Sequence, residues 1–476
     1  MHTIELDAWD LPTLRPDLEL FPLADRLLVH DPIRREVLEL DAADLPALRL
    51  LDGRHSPEEI ARRIRRPLDD VLDLVDDLAD QMLLVDPDQD EILATCRAEY
   101  EAEDHFLEPA LDSRPAADLA ALPLHIVDDA RHTCVRCGAC CHYAIPVSAE
   151  ERRRLEAYPW PEEVIPEEAG RLFNVQPCLQ WGGVEETIAT RSAPTRCALL
   201  AADNLCRVHG ALGAAAKPFP CRLFPLAFPV LTPGRVVISL TLECPWIHAT
   251  YDDGERLADR AAELAGLVAE MEEIYALPDE VPLDGERTVA AEAYLAWEHG
   301  LLDVPAAPAT DPALFLERVQ SFWEQLMPGG RSVVPPLREL AGLALALGRA
   351  VRENAAVVVD SPEGEEGAAA ASRVLEGLAA RPETAWADVR WEDGPAADRL
   401  LGRFVRHFIE GKQALFYRNL WTGLRALAVI LLLARRDALL LERAAGREQV
   451  ALAALNRALA RWCRLLDLRP VRLAFL

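Results

Sequence analysis

The chain of 476 residues is short of positive charge. Fifty Lys and Arg stand against 79 Asp and Glu, a formal net charge of −29. A nucleic-acid binder needs a basic footprint, so no nucleic-acid partner is expected. The opening "MHTIELDAWDLP" has no basic stretch leading into an apolar core, so no signal peptide is expected either. Long apolar runs are lacking. The longest, "ALAVILLLA" from Ala426 to Ala434, is nine residues long and flanked by Arg425, Arg435 and Arg436. A bilayer span needs about 20. Several signatures of familiar chemistry are missing: the Walker phosphate loop, the dinucleotide fingerprint, H-E-x-x-H, G-x-S-x-G, and a glycine-rich strand–turn–helix for S-adenosylmethionine. There is no internal repeat. A content of 51% hydrophobic and 27% charged residues still describes a folded chain of several domains, read here as cytoplasmic.

Cysteine is abundant but confined. Nine of the eleven cysteines lie between Cys134 and Cys244, leaving Cys96 and Cys463 apart in helical patterns as small core residues. "HTCVRCGACCHY" packs Cys134, Cys137, Cys140 and Cys141 into C-x2-C-x2-C-C. In a reducing compartment such crowding points to metal or redox chemistry and not to disulfides. Thiolates are soft ligands suited to zinc, iron–sulfur clusters or copper, and close spacing supplies two or three of them from one turn. A second stretch, "TRCALLAADNLCRVHGALGAAAKPFPCRLFPL", adds Cys197, Cys206 and Cys221. Pro220 and Pro225 bracket Cys221 and prevent a continuous helix, which suits a rigid ligand-bearing turn. Cys244 ends an alternating strand, "RVVISLTLEC". The candidate metal ligands are therefore Cys134, Cys137, Cys140, Cys141, Cys197, Cys206, Cys221 and Cys244, with Cys178 and His209 as weaker candidates. Sulfurs that share one centre should come within about 4 Å of one another, since each lies about 2.3 Å from the metal. No catalytic nucleophile or general base can be named.

The expected fold is mainly α with small β elements. Residues 14–87 form a small module. "LELFPLADRLLVHD" suggests a hairpin, and Leu45, Leu48 and Leu51 face one way on a short helix. Ser56 with Glu59 makes a capping box behind Pro57. A third helix has Leu68, Val71, Leu72, Val75, Leu78 and Met82 on one stripe, and "LLVD" closes the module as a strand. Helices followed by a closing strand suggest a winged-helix-like domain. Residues 88–131 read as an acidic helical connector, residues 132–250 as a loop-rich cysteine domain, and residues 255–476 as almost wholly helical. Residues 396–476 hold fifteen Lys and Arg against six Asp and Glu, a local +9 that leaves −38 for the rest. The simplest account is that this basic part packs on acidic residues of the same chain.

Three resemblances attach to these residues. "LRLLDGRHSPEEIARRI" followed by "DDVLDLVDDLADQMLLVD" resembles the PqqD-like family, which implies a peptide or protein partner bound by strand addition to a sheet edge. "CVRCGACC", then "CALLAADNLCRVHGALGAAAKPFPCRLFP", then "LTLECPW" resembles the YkgJ-type cysteine-cluster family, a zinc- or iron-chelating domain. That likeness implies ligands at Cys134, Cys137, Cys140, Cys141, Cys197, Cys206 and Cys221, and a [4Fe–4S] cluster or zinc as cofactor. Lys217-Pro218 stands where many relatives have Arg-Pro. The second stretch is also similar to flagellin lysine-N-methylase, and this implies a link to lysine methylation. Two functions follow. One is a metal- or cluster-dependent enzyme that modifies a peptide or protein. The other is a non-catalytic chelator, redox protein or sensor.

Overall fold

A computed structural model describes residues 11–22, 26–116, 119, 122–141, 145–167, 170–177, 184–191, 196–241, 243–303, 312–353, 364–386, 389–467 and 469–475. The chain divides into two compact units, Met1–His105 with Val175–Glu186, and Phe106–Asn174 with Thr187–Leu476.

In the first unit, strands β1 (Glu19–Pro22), β2 (Arg26–Asp31) and β3 (Glu36–Asp41) form an antiparallel sheet with β2 in the middle. β1 and β2 are the two arms of the expected hairpin, with Glu19 opposite His30. Three helices follow: α1 (Leu45–Leu48), α2 (Pro57–Ile64) and α3 (Leu68–Asp80). The Ser56–Glu59 capping box is present in full at the start of α2. Leu27 and Val29 of β2 pack with Leu48, Leu51, Ile60, Val71, Leu74 and Leu78 in one apolar core. The buried face of α3 is thus Val71–Leu74–Leu78, whereas Leu68 and Leu72 are 37% and 39% exposed. The apolar positions admit two neighbouring stripes. Leu74 wins because spacings of three and four from Val71 and Leu78 align it with α2 and the sheet. "LLVD" does not form a full strand. Leu84 makes a single antiparallel bridge to Leu14, supported by the Arg15 amide donating to the Leu83 carbonyl. Helix α4 (Asp90–Leu107) brings Tyr100 under the Arg35 guanidinium, 4.6 Å from the ring centre.

One buried ion pair ties this unit together. Arg15 Nη1 and Nη2 each lie 2.8 Å from an oxygen of Asp31, and Nη1 also donates to the Met82 carbonyl. Asp31 accepts the Ile33 and Arg34 amides as well.

The second unit contains a five-stranded mixed sheet in the order β4–β13–β11–β12–β5. Its members are β4 (Asp112–Pro115), β5 (Leu124–Ile126), β11 (Val230–Thr232), β12 (Arg235–Ile238) and β13 (Glu273–Ala276). Two of these strands come from residues 88–131, so that segment is α-helical only as far as Leu107, with a 3-10 turn at Val127–Asp129. The "RVVISL" strand is β12, and it sits between β11 and β5. Val236, Val237, Ile238 and Ser239 are all buried, so both faces are covered and the alternation carries no inside–outside meaning. Short strands β6 (Ile145–Pro146), β7 (Phe173–Pro177), β8 (Val184–Ile188), β9 (Thr190–Arg191) and β10 (Arg196–Cys197) lie in the cysteine region. Helices α5 (Ala149–Glu156), α6 (Arg207–Leu212) and α7 (Phe219–Leu223) alternate with its loops.

Beyond residue 255 helices dominate: α8 (Ala261–Ala269), α9 (Ala291–Leu302), α10 (Pro312–Leu326), α11 (Leu337–Glu353), α12 (Gly364–Ala380), α13 (Gly394–Glu410), α14 (Leu420–Ala444), α15 (Leu452–Asp467) and α16 (Arg469–Phe475). β13, β14 (Glu280–Pro282) and β15 (Thr288–Ala290) interrupt them, strands too short for a periodic signal. The run Ala426–Ala434 lies inside α14, buried throughout as the axis of the bundle. Among the described residues no helix is long and apolar enough to cross a membrane.

The basic C-terminal stretch is paired within this unit. Arg403 meets Asp252 at 2.5 Å, and Arg425 meets Glu339 at 3.3 Å. Lys412 is completely buried. Its Nζ lies 2.7 and 2.9 Å from the two Glu298 oxygens and donates to the Glu410 carbonyl at 2.8 Å. The Tyr294 hydroxyl donates to Glu298 at 2.9 Å.

Removing one member of a buried pair leaves an uncompensated charge, a loss of about 3–5 kcal/mol. Lys412→Met should cost that much, and Glu298→Gln added to it should recover part of the loss; denaturant titration of the double-mutant cycle measures the coupling. Asp31→Ala should destabilise the first unit by a similar amount, read as lost amide-exchange protection in the β1–β3 sheet. Burial alone would raise the Asp31 pKa, but the Arg15 pairing and the backbone donors hold it below the ordinary carboxylate range. Its contribution is therefore complete above the unfolded carboxylate value and is lost as pH falls through the depressed folded value. The gap between native protein and Asp31→Ala should close in acid; a gap independent of pH would contradict this.

Candidate metal centre

The first motif is not helical. His132–Gly138 is irregular, and only Ala139–Cys141 makes a 3-10 turn. Arg136 and Gly138 both adopt left-handed backbone, with φ of 58° and 75°. At Gly138 that conformation turns the chain between Cys137 and Ala139; two amides face a sulfur two residues earlier. The Arg136 amide donates to Cys134 Sγ at 3.4 Å, and the Ala139 amide donates to Cys137 Sγ at 3.5 Å. Glycine at 138 suits both the positive φ and the space. A Cβ there would come within 3.1 Å of Asn204 Oδ1 and 3.3 Å of Leu200 Cδ2.

Two further amides lower a thiol pKa. The Leu199 amide acts on Cys197, and the Trp246 amide acts on Cys244, each favouring the thiolate. An amide N–H aimed at sulfur stabilises its charged form, the form that binds metals.

Burial opposes ionisation. It pushes the Cys197 thiol up to about 12, with the charge of Cys206 adding to it. Cys244 is pushed up to about 12 by burial, with Cys137, Cys140 and Cys134 as the charges that add to it. Cys221 is raised by burial and then by Cys197. Cys140 goes the other way, to about 7. A hydrogen bond from Cys141, whose sulfur is 3.9 Å away, is the main cause, and the Lys217 ammonium also contributes. Cys141 is correspondingly raised by that bond and by burial. Buried, mutually repelling thiols with amide donors in place are a donor set that a cation would relieve. The residues present fit a soft metal.

The fold delivers the later cysteines on short, fixed elements. Cys197 ends β10. Cys206 precedes α6 and is bridged to Leu200, which closes the intervening turn. Cys221 sits on α7, a five-residue helix preceded by Pro218 and followed by extended backbone at Phe224. Glu151 anchors it. One Glu151 oxygen accepts the Phe219 amide at 2.7 Å while the other accepts the Ser148 amide at 2.9 Å. Cys244 is held by Asn456 of α15, whose Nδ2 donates to the Cys244 carbonyl at 3.0 Å while its Oδ1 accepts the His248 amide.

Cys141, Cys206 and Cys221 all pack against the small core that contains Cys197. Cys134 is exposed, Cys197 and Cys244 are buried, and the other candidates are half-buried. Among the described residues, no three His, Cys, Asp or Glu side chains are gathered on one point, so these are neighbouring thiols and not a closed coordination shell. His209 is exposed on α6. Cys178 lies outside the described residues. Cys96 and Cys463 stay on α4 and α15 as half-buried thiols.

Sequence reasoning missed Glu151, Asn456 and His132, and noted Lys217 only as a departure from the Arg-Pro of relatives. His132 is buried and held neutral, its pKa lowered to about 4 by burial, and its Nδ1 has no partner among the described residues. Glu151 had a signal, the S-x-x-E spacing from Ser148. The others had none.

Neither the curated proteins nor the solved structures give a match to the chain. Residues 133–245, the segment that carries all eight candidate ligands, match the family described as "CxxCxxCC: Putative zinc- or iron-chelating domain".

Proposed function

We propose that the thiols of residues 134–244 bind zinc or an iron–sulfur cluster, and that the protein uses this centre in modifying a peptide or protein substrate. The observation that carries the metal reading is the placement of the Arg136 and Ala139 amides against Cys134 and Cys137, beside a small core on which Cys141, Cys206 and Cys221 pack around Cys197. Cys134, Cys137, Cys140, Cys141, Cys197, Cys206, Cys221 and Cys244 are the residues that would hold the group. Such a group supplies Lewis acidity if it is zinc and electron transfer if it is a cluster. The protein's own residues bury Cys197 and Cys244, fix the backbone of the cysteines and place the Lys217 charge beside Cys140 and Cys221.

The substrate part of the proposal draws on the first unit. Its three-stranded sheet has β1 and β3 at its edges, and an edge strand such as β3 is one to which an extended chain can add. The winged-helix-like reading of residues 14–87 and a relation to lysine methylation belong to this same proposal.

Cys137→Ser and Cys140→Ser should each lower bound metal in the full-length protein and lower its melting temperature, because metal binding free energy also stabilises the fold. Metal analysis of anaerobically purified protein and thermal melts test this. Unchanged metal content and unchanged melting in both variants would refute it. A brown anaerobic protein would mark a cluster; a colourless, zinc-loaded one would mark a zinc site.

A further inference from the structure

The five-stranded sheet of the second unit carries a cavity that the candidate metal ligands do not reach. β13 places Glu273 and Tyr275 on one face, and the antiparallel register sets Ser113 of β4 opposite Tyr275. The Ser113 hydroxyl donates to Glu273 Oε2 at 2.6 Å, a polar contact in the cavity wall. Phe228 stands two residues before Val230, the β11 residue paired with Tyr275, and forms another side. With Glu108 and Met271 these residues line a space of about 530 Å³, inside the range of about 300–1,000 Å³ usual for small-molecule sites.

Aromatic rings meet there at a corner. The Phe228 and Tyr275 rings have centroids 6.1 Å apart and planes at 76°. Phe416 lies behind both, with its centroid 4.8 Å from that of Tyr275 and 6.3 Å from that of Phe228. Phe228 is 43% exposed, so its ring keeps surface open to a ligand.

Charge decides what that ligand is. The lining holds the carboxylates of Glu108 and Glu273, and among the described residues it holds no Lys or Arg. Asp112 and Arg114, on either side of Ser113, alternate to the other face of β4 and pair with each other at 3.3 Å. Arg472, whose charge reaches Tyr275, is engaged elsewhere. Its guanidinium donates to the Phe416 carbonyl and stacks over Tyr417, 4.7 Å from the ring centre. An anion would meet two carboxylates here. A hard metal ion needs more oxygen ligands than two carboxylates and one hydroxyl supply. Aromatic faces attract cations, and quaternary ammonium groups are the cations such walls suit best.

We infer that this cavity binds a quaternary ammonium ion on a short alkyl chain, a choline-type small molecule. Phe228 and Tyr275 meet its methyl groups, and Glu273 supplies the countercharge. The cavity shares no side chain with the candidate metal ligands, so the assignment stands apart from the metal reading.

Titration of the full-length protein with choline, followed by broadening of the N-methyl proton resonance, tests this. Binding should saturate. The uncharged analogue in which a tert-butyl group replaces the trimethylammonium should bind about tenfold more weakly, since it has the shape without the charge. Phe228→Leu keeps an apolar side chain and removes the ring. Glu273→Gln keeps an oxygen to accept from Ser113 and removes the charge. Each should raise the choline dissociation constant about tenfold. Melting temperature should be unchanged in both, because both side chains are exposed. No saturable binding at millimolar choline, equal binding of the uncharged analogue, or unchanged choline affinity in either variant would overturn the assignment. The comparison of choline with its analogue uses the native chain, so it decides the matter even where a variant misfolds.

Discussion

A backbone amide pointed at a cysteine sulfur two residues earlier is the contact on which the cysteine region depends. It occurs at Cys134 and at Cys137, the second through left-handed backbone at Gly138, and the Leu199 and Trp246 amides lower the thiol pKa of Cys197 and Cys244 against a larger upward push from burial. Each such turn spends the chain's conformational freedom locally, so the sulfur is oriented before any ion arrives. Burial raises the thiol pKa values and the amides counter it. The balance leaves a set of sulfurs for which a cation is the missing partner.

The rest of the second unit serves to hold these turns still. Strand β12 of the five-stranded sheet leads into the segment bearing Cys244. α15 reaches that segment through Asn456, and α13 reaches it through His407. Glu151 does the same for Cys221 by bonding two amides at once. The chain has only two lysines, and both are placed with purpose. Lys217 lies beside the thiols, and Lys412 is sealed against Glu298 where its charge is fully compensated. Elsewhere arginine makes the ion pairs, and its planar fork allows the bidentate contacts seen between Arg15 and Asp31 and between Arg222 and Glu270.

Much of this was legible in the residues. Cysteine spacing marked the candidate ligands, and the Ser56–Glu59 box marked a helix start. What was hidden is instructive. The positive φ at Arg136 has no signature, because arginine rarely adopts it and only the fold requires it. α3 offered two overlapping stripes, and packing alone selected Leu74 over Leu72. β12 reads as alternating but is covered on both faces. Asn456, a lone amide in an apolar helix, acquires its role from a loop about 200 residues away in sequence. In each case the deciding contact is long-range, and local pattern carries no trace of it.

The most direct test of the account is X-ray absorption at the metal edge of the purified full-length protein. The account predicts zinc or iron surrounded by a first shell dominated by sulfur, at about 2.3 Å. A first shell made of oxygen and nitrogen, or protein that carries no zinc or iron after anaerobic purification, would contradict it.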